Sequence, residues 1–303
     1  NGTASILLEN QSTNLVTYSE LFNTYLSVRV DATITDNYGI SPDGSLNSSR
    51  IQFVDETSYC YAAISVFTSH TSSCYVKGVK GETVKFGIGA NVATGQSFLL
   101  NGNWQRIEYT SSTANQIFFS TYSGVTARDF EVFGLQLEAL SYATSYIPTS
   151  GQSGGVTRAA ETLNNAGNSD LINSTEGVLY AEISALADDG TFRNISLNNG
   201  TTAQSVRIYY RNTTNQITAL IGSASGGSVT VNVANAYTFN KIAVAYQNDN
   251  AKVFVNGVLE ATIPSITMPT GLNQLDFDIS NVLPFYGRCK TVAVFKEALS
   301  DTE

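Results

Sequence analysis

Asn256-Gly257 is the dipeptide that most narrows what this chain can fold into. Ala251-Lys252-Val253-Phe254-Val255 precedes it, and Val258-Leu259-Glu260-Ala261-Thr262-Ile263 follows. A two-residue hairpin needs positive φ at both central positions, which Asn and Gly accept at little cost. Lys241-Ile242-Ala243-Val244-Ala245-Tyr246 lies one polar turn upstream, beyond Gln247-Asn248-Asp249-Asn250. The spacing predicts three consecutive antiparallel strands. Similar short runs recur at residues 51–54, 59–67, 73–77, 83–88, 104–109 and 129–137, then at 178–185, 192–197, 205–211, 216–221 and 228–233. Many short strands joined by polar turns predict an all-β chain of packed antiparallel sheets. With 24 glycines and 5 prolines, composition agrees. Charged residues make up only 14%, against about a quarter in ordinary soluble proteins. Hydroxyls and amides therefore supply much of the polarity, and these suit contacts with neutral sugars.

A length of 303 residues allows two domains. Thr149-Ser150-Gly151-Gln152-Ser153-Gly154-Gly155 is the most flexible composition in the chain. It divides the sequence into two expected β-sandwiches, residues 1–155 and 156–303. Leu15, Tyr18, Leu21, Phe22 and Tyr25 give the one helical hint, short enough to be a turn. The absence of an initiator methionine suggests a fragment or processed product. Ser300-Asp301-Thr302-Glu303 has the form of a capping box that would open a helix.

Net charge is −9, from 7 basic and 12 acidic residues before Val156 and 9 and 13 from there on. No basic face or tail results, which disfavours a nucleic-acid partner or an anionic membrane surface. No long apolar span or signal peptide is evident. The cysteines are Cys60, Cys74 and Cys289, too sparse for a disulfide framework. Cys60 and Cys74 are expected to be small buried residues, with pairing across neighbouring strands as the alternative. One histidine, His70, and no Cys-x-x-Cys leave little material for zinc.

Several phrases together resemble the tail and head-fibre proteins of bacteriophages. They are Leu7-Leu8-Glu9-Asn10-Gln11-Ser12-Thr13-Asn14-Leu15, the Cys74-Tyr75-Val76-Lys77 and Trp104-Gln105-Arg106 strands, Gly134-Leu135-Gln136-Leu137-Glu138, Ala143-Thr144-Ser145-Tyr146-Ile147-Pro148-Thr149, and Thr157-Arg158-Ala159-Ala160. The segment from Ser174 to Glu182 and the closing hairpins resemble a concanavalin-like or laminin-G-like module. The resemblance implies a carbohydrate-binding-module-like jelly roll followed by a lectin-like sandwich, on an oligomeric, homotrimeric virion component at the particle surface. Other virion proteins would be its neighbours. It supplies no catalytic set. It also implies that Trp104 packs in a core strand.

A laminarinase-like Glu-x-Asp-x-x-Glu strand is absent, and Asp276-Phe277-Asp278 is the nearest acid pair. His70, in a polar connection, lacks the setting of a hydrolase triad. Asp188-Asp189-Gly190 is the best loop for calcium, followed by Asp276 and Asp278. Strand alternation places Leu179, Ala181, Ile183, Ile195, Leu197, Ile208, Ile217, Ala219 and Ile221 inward, and Tyr210 with them. Tyr180, Glu182, Asn194, Arg207, Tyr209 and Arg211 then point outward. If their strands lie side by side, they form a polar, aromatic glycan-binding face. The expected function is non-catalytic binding of a host-surface or environmental polysaccharide by a virion fibre. The rivals are a purely structural fibre or capsid-decoration protein and a polysaccharide-degrading enzyme or its accessory module.

Overall fold

The computed structural model describes residues 4–222 and 227–299, so the expected helix start at Ser300-Asp301-Thr302-Glu303 lies outside the described residues. The chain is all-β as expected, and its one α-helix among the described residues is the single turn Phe22–Tyr25. It divides into two compact units. One holds residues 11–159; the other combines the residues up to Asn10 with those from Ala160 onward. This differs from a division at 155. Strand Ile6–Leu8 pairs with Gly287–Phe295, Ile6 lying opposite Cys289. Strand Val156–Arg158 pairs instead with Ser12–Asn14.

The 11–159 unit is a sandwich of two five-stranded antiparallel sheets. One runs in the spatial order Gln105–Ser111, His70–Gly78, Asp129–Glu138, Leu46–Phe53, Ala32–Ile40. The other runs Val28–Val30, Tyr59–Val66, Ala114–Ser120, Thr83–Gly89, Gln96–Leu99. Sequence neighbours are often not spatial neighbours, as in a jelly roll. Between the sheets lie Ile51, Val76, Phe86, Ile88, Ile117, Phe119 and Val132, all nearly solvent-free. Cys60 and Cys74 are free and buried in this core, but they belong to opposite sheets rather than to neighbouring strands.

The phrases that carry the phage resemblance lock one edge of this unit. Asn14 Nδ2 donates to the carbonyls of Leu135 (3.1 Å) and Ile147 (2.8 Å). Its Oδ1 accepts from the amides of Val16 and Leu137, each at 3.1 Å. Glu138 has no solvent exposure. It accepts from Ser12 Oγ at 2.6 Å, Gln136 Nε2 at 2.7 Å, the Thr144 amide at 3.0 Å and the Thr144 hydroxyl. Gln136 Oε1 accepts from the Ile147 amide at 2.7 Å. A buried carboxylate is tolerated because each oxygen has donors. These motif residues are thus structural.

The other unit is also a sandwich. Its six-stranded sheet runs Ile6–Leu8, Gly287–Phe295, Glu176–Ala185, Asn240–Gln247, Ala251–Val255, Val258–Ile263. The facing five-stranded sheet runs Gly227–Asn232, Gln216–Ile221, Ser205–Tyr210, Arg193–Asn198, Gln274–Asp276. The Asn256-Gly257 hairpin forms as expected, with φ of 51° and 84° and Val255 paired to Val258. Every residue predicted for the inner layer is in the core. Tyr210 is there too, its hydroxyl donating to the Ile183 carbonyl at 3.0 Å.

Candidate functional site

The six residues expected to share one face do not. Tyr180 and Glu182 lie on the six-stranded sheet, whereas Asn194, Arg207 and Tyr209 lie on the five-stranded sheet, with Arg211 just beyond it. Inward neighbours from both sheets meet in one core, so the outward residues occupy opposite surfaces of the sandwich. Asn194 is also 1% exposed. Its amide nitrogen donates to the Leu283 carbonyl at 3.3 Å, under a segment that bridges Asn194 to Pro284. It has no surface left for a sugar.

Tyr180 lines a trough of about 540 Å³ on the outer surface of the six-stranded sheet. Ala243, Ala245, Ala293, Phe254 and Phe295 line it as well. Burial, then the charge of Glu182, raises the Tyr180 phenol above its ordinary pKa. Glu182 is held by Lys290 Nζ at 3.2 Å. A bulge between Glu182 and Ile183 makes Lys290 the extra residue on the facing strand.

The calcium candidates are already engaged. Asp188 Oδ2 accepts from the Asn215 amide at 2.7 Å, and Asp189 Oδ1 pairs with Arg193 Nη2 at 2.9 Å. Asp276, 2% exposed, accepts from the Asn165 amide, Asn198 Nδ2 and Gln274 Nε2. Asp278, 5% exposed, accepts from Asn164 Nδ2 and the Asn281 amide. Burial raises the Asp278 carboxyl above its ordinary pKa. Both acids fasten the 164–165 and 281 segments. No group of three or more metal-ligating side chains is assembled among the described residues. His70 opens a strand rather than sitting in a connection, with Nδ1 3.0 Å from the Thr68 carbonyl oxygen.

A further surface combines aromatic rings with paired charges. It lies on the outer side of the sheet containing Asp129–Glu138 in the 11–159 unit. Trp104 belongs to neither core and is partly exposed, contrary to the expected packing role. Its Nε1 donates to the Ile40 carbonyl at 3.2 Å, which fixes the ring. Alternation explains the placement: Ile107 points inward, so Trp104, Arg106 and Glu108 share the outward parity. That parity was the available signal. Lys77 Nζ lies 5.7 Å from the Trp104 ring centroid and 3.1 Å from Glu131 Oε1. Glu131 Oε2 accepts from Ser48 Oγ at 2.7 Å. Gly39 makes this possible, since a Cβ there would sit 2.3 Å from that oxygen.

Arg50 completes the strip. Its guanidinium pairs with both Asp129 oxygens, with Nε to Oδ1 at 2.7 Å. It also lies 4.8 Å from the Tyr38 ring centroid. Tyr38, Arg50, Lys77, Asp129 and Glu131 line a shallow depression of about 270 Å³. Hydrogen bonding from Arg50 holds the Asp129 carboxyl below the ordinary carboxylate range. Such a group keeps no proton near neutrality and cannot act as a general acid there. What the strip offers is two aromatic rings with fixed donors and acceptors between them. Sugar hydroxyls, which both donate and accept, match fixed pairs of this kind.

No family model matches this sequence, and no curated protein does. Solved structures provide likenesses of fold. The CBM40 domain of the Ruminococcus gnavus IT-sialidase, bound to α2,3-sialyllactose, is 18% identical, with 47% of this chain and 93% of that chain covered and a TM-score of 0.38. A leech intramolecular trans-sialidase is 20% identical, over 43% of this chain and 22% of that one, with a TM-score of 0.37. Domains LG4-5 of the mouse laminin alpha1 chain are 9% identical, over 97% and 92% of the two chains, with a TM-score of 0.32.

Proposed function

We propose that this chain binds polysaccharide without cleaving it, as an adhesive component of a bacteriophage fibre. The strip from Tyr38 to Trp104 carries the binding half of this reading. Its Trp104 ring is held by a hydrogen bond and its charges are mutually neutralised, leaving polar groups oriented at low entropic cost for a neutral or weakly charged sugar chain. The fibre half rests on the sequence phrases that lock the edge of the same unit. Several copies on one particle would multiply a weak single-site affinity through effective concentration.

Glycan-array binding of the whole chain, beside Trp104→Ala and Tyr38→Ala, tests the reading. Base–aromatic and sugar–aromatic platforms depend on the exposed ring, so each variant is expected to weaken binding about tenfold, roughly 1.4 kcal/mol. Unchanged binding in both variants would remove this surface from the function. Release of reducing ends from a bound polysaccharide would replace adhesion with hydrolysis.

A further inference from the structure

Arg207, Tyr209 and Arg211 project from the same side of one extended segment, on the outer face of the five-stranded sheet in the unit that includes Ala160 onward. Arg211 lies just past the strand, yet its amide still bonds the Gln216 carbonyl at 3.0 Å, so the pairing continues to it. Residues two apart in a strand are separated by about 6.7 Å. Two guanidinium stems therefore flank a central phenol. The Tyr209 ring packs against Phe192, with centroids 5.9 Å apart. Across the sheet, Arg207 faces Leu220 and Tyr209 faces Thr218. Both neighbours are buried despite their outward parity, at 4% and 1% exposure. The long side chains of the stripe thus lie in a partly desolvated setting.

The two arginines are held more weakly than Arg29, Arg50, Arg106, Arg128 and Arg193. Arg50, Lys77, Arg193 and Lys290 each pair with a carboxylate. Arg29, Arg106 and Arg128 form no such pair among the described residues, but each donates a hydrogen bond of 2.9 Å or less; Arg207 and Arg211 have neither. Their hydrogen bonds are long and neutral: Arg207 Nη2 to the Thr202 carbonyl at 3.5 Å, and Arg211 Nη1 to Thr218 Oγ1 at 3.4 Å. The Nε of each is buried and makes no hydrogen bond. Burial also holds the Arg207 guanidinium below its ordinary pKa. A partly dehydrated cation without a counter-charge is costly.

We infer that this stripe is a second glycan site, taking the sulfate or carboxylate groups of an acidic polysaccharide on Arg207 and Arg211 with a sugar ring over Tyr209. The planar guanidinium matches either anion with paired N–H donors. The inference does not depend on the Tyr38–Trp104 strip, which lies in the other unit and has its own charges neutralised.

The test is isothermal titration of the whole chain with dextran sulfate, polygalacturonate and unmodified dextran, each at low and high salt. Binding of one or both anionic polymers is expected, with at least tenfold weaker binding to dextran. Dextran sulfate and polygalacturonate separate sulfate from carboxylate as the preferred source. Arg207→Gln and Arg211→Gln are expected to cost about tenfold each and to flatten the salt dependence, as each lost cation releases fewer counterions. Arg207→Lys keeps charge without the fork and should fall between wild type and Arg207→Gln. Lys80→Gln, which removes an exposed cation of the other unit, should bind the acidic polymers like wild type. Melting temperatures within about 2 °C of wild type confirm that the variants fold; if Arg207→Gln melts lower, Arg211→Gln, at the strand end, decides alone. Failure of wild type to bind either anionic polymer, or undiminished binding in Arg211→Gln, overturns the site. Loss of acidic-polymer binding in Lys80→Gln would also overturn it, by moving that binding to the other unit.

Discussion

Replacing Glu138 separates the two kinds of donor that surround its buried carboxylate. Oε1 accepts from two hydroxyls, Ser12 Oγ and Thr144 Oγ1. Oε2 accepts from two nitrogens, Gln136 Nε2 and the Thr144 amide. A hydroxyl can rotate to accept instead of donate; an amide N–H cannot. Glu138→Gln can therefore place its carbonyl toward the nitrogens and its NH₂ toward the hydroxyls, losing only charge assistance. That difference is about 1 kcal/mol. Glu138→Ala leaves the Thr144 amide and one Gln136 hydrogen without partners in a dry site. Gln136 retains the Thr144 carbonyl at 3.3 Å for its other hydrogen. Two orphaned donors cost about 1–3 kcal/mol each, so about 4 kcal/mol in total. For a unit of this size, 1 kcal/mol moves the melting temperature by about 3 °C, giving shifts of about 3 °C and 12 °C. The single tryptophan, Trp104, lies in the same unit, so its fluorescence reports this unit's unfolding. Equal shifts for the two variants, or a larger one for Glu138→Gln, would refute the donor argument.

Three further perturbations are informative. Gly39→Ala would force the Glu131 carboxylate off Ser48; because that carboxylate sits on a flexible side chain, a several-fold loss of glycan binding with a melting shift under about 3 °C is expected, and binding equal to wild type would count against Glu131. Arg50 depresses the Asp129 pKa, so the stabilisation is present above the unfolded-state value of about 4 and is lost as pH falls through the lower folded-state value. The Asp129 side chain is 48% exposed, so screening limits the effect to under about 1 kcal/mol; melting curves of wild type and Asp129→Asn should converge toward pH 2 and separate slightly at pH 7. Burial pushes the Cys60 thiol up to about 12 and Cys289 up to about 11, and Cys74 higher still, so a thiol reagent at pH 8 should find all three cysteines only after denaturation; rapid labelling of the native protein would contradict their burial.

The inner layers were legible in the sequence because alternation reports burial directly. Leu179, Ile195, Ile208 and Ile217 all fell where expected. Alternation does not say which of two packed sheets a strand joins, since both layers present the same pattern to the core. That is why Tyr180 and Tyr209, outward on both readings, occupy opposite surfaces. Asn194 shows a second limit: it points outward, but a distant segment around Leu283 and Pro284 covers it. Strand Ala114–Ser120, central to its sheet, was missed because Phe118, Phe119 and Ile117 are all buried and the run barely alternates. Strand Ile6–Leu8 is three residues long and acquires its identity only from Gly287–Phe295. Trp104 was legible from parity, but the resemblance to a core strand outweighed that signal.

The pairing of Ser12–Asn14 with Val156–Arg158 has an evolutionary reading. Residues 11–159 interrupt the other unit in sequence, as a guest within a host, and the guest's entrance and exit are paired strands about 5 Å apart. The host closes its own side of the gap, where the Glu161 amide donates to the Glu9 carbonyl at 3.0 Å. Any module with adjacent ends could take the guest's place without re-threading the host. Joining Asn10 directly to Ala160 should therefore yield a host that folds unaided, and a non-cooperative circular-dichroism melt of that shortened chain would show that the two are not separable. A lineage could in this way exchange one inserted unit for another while keeping the unit that surrounds it in sequence.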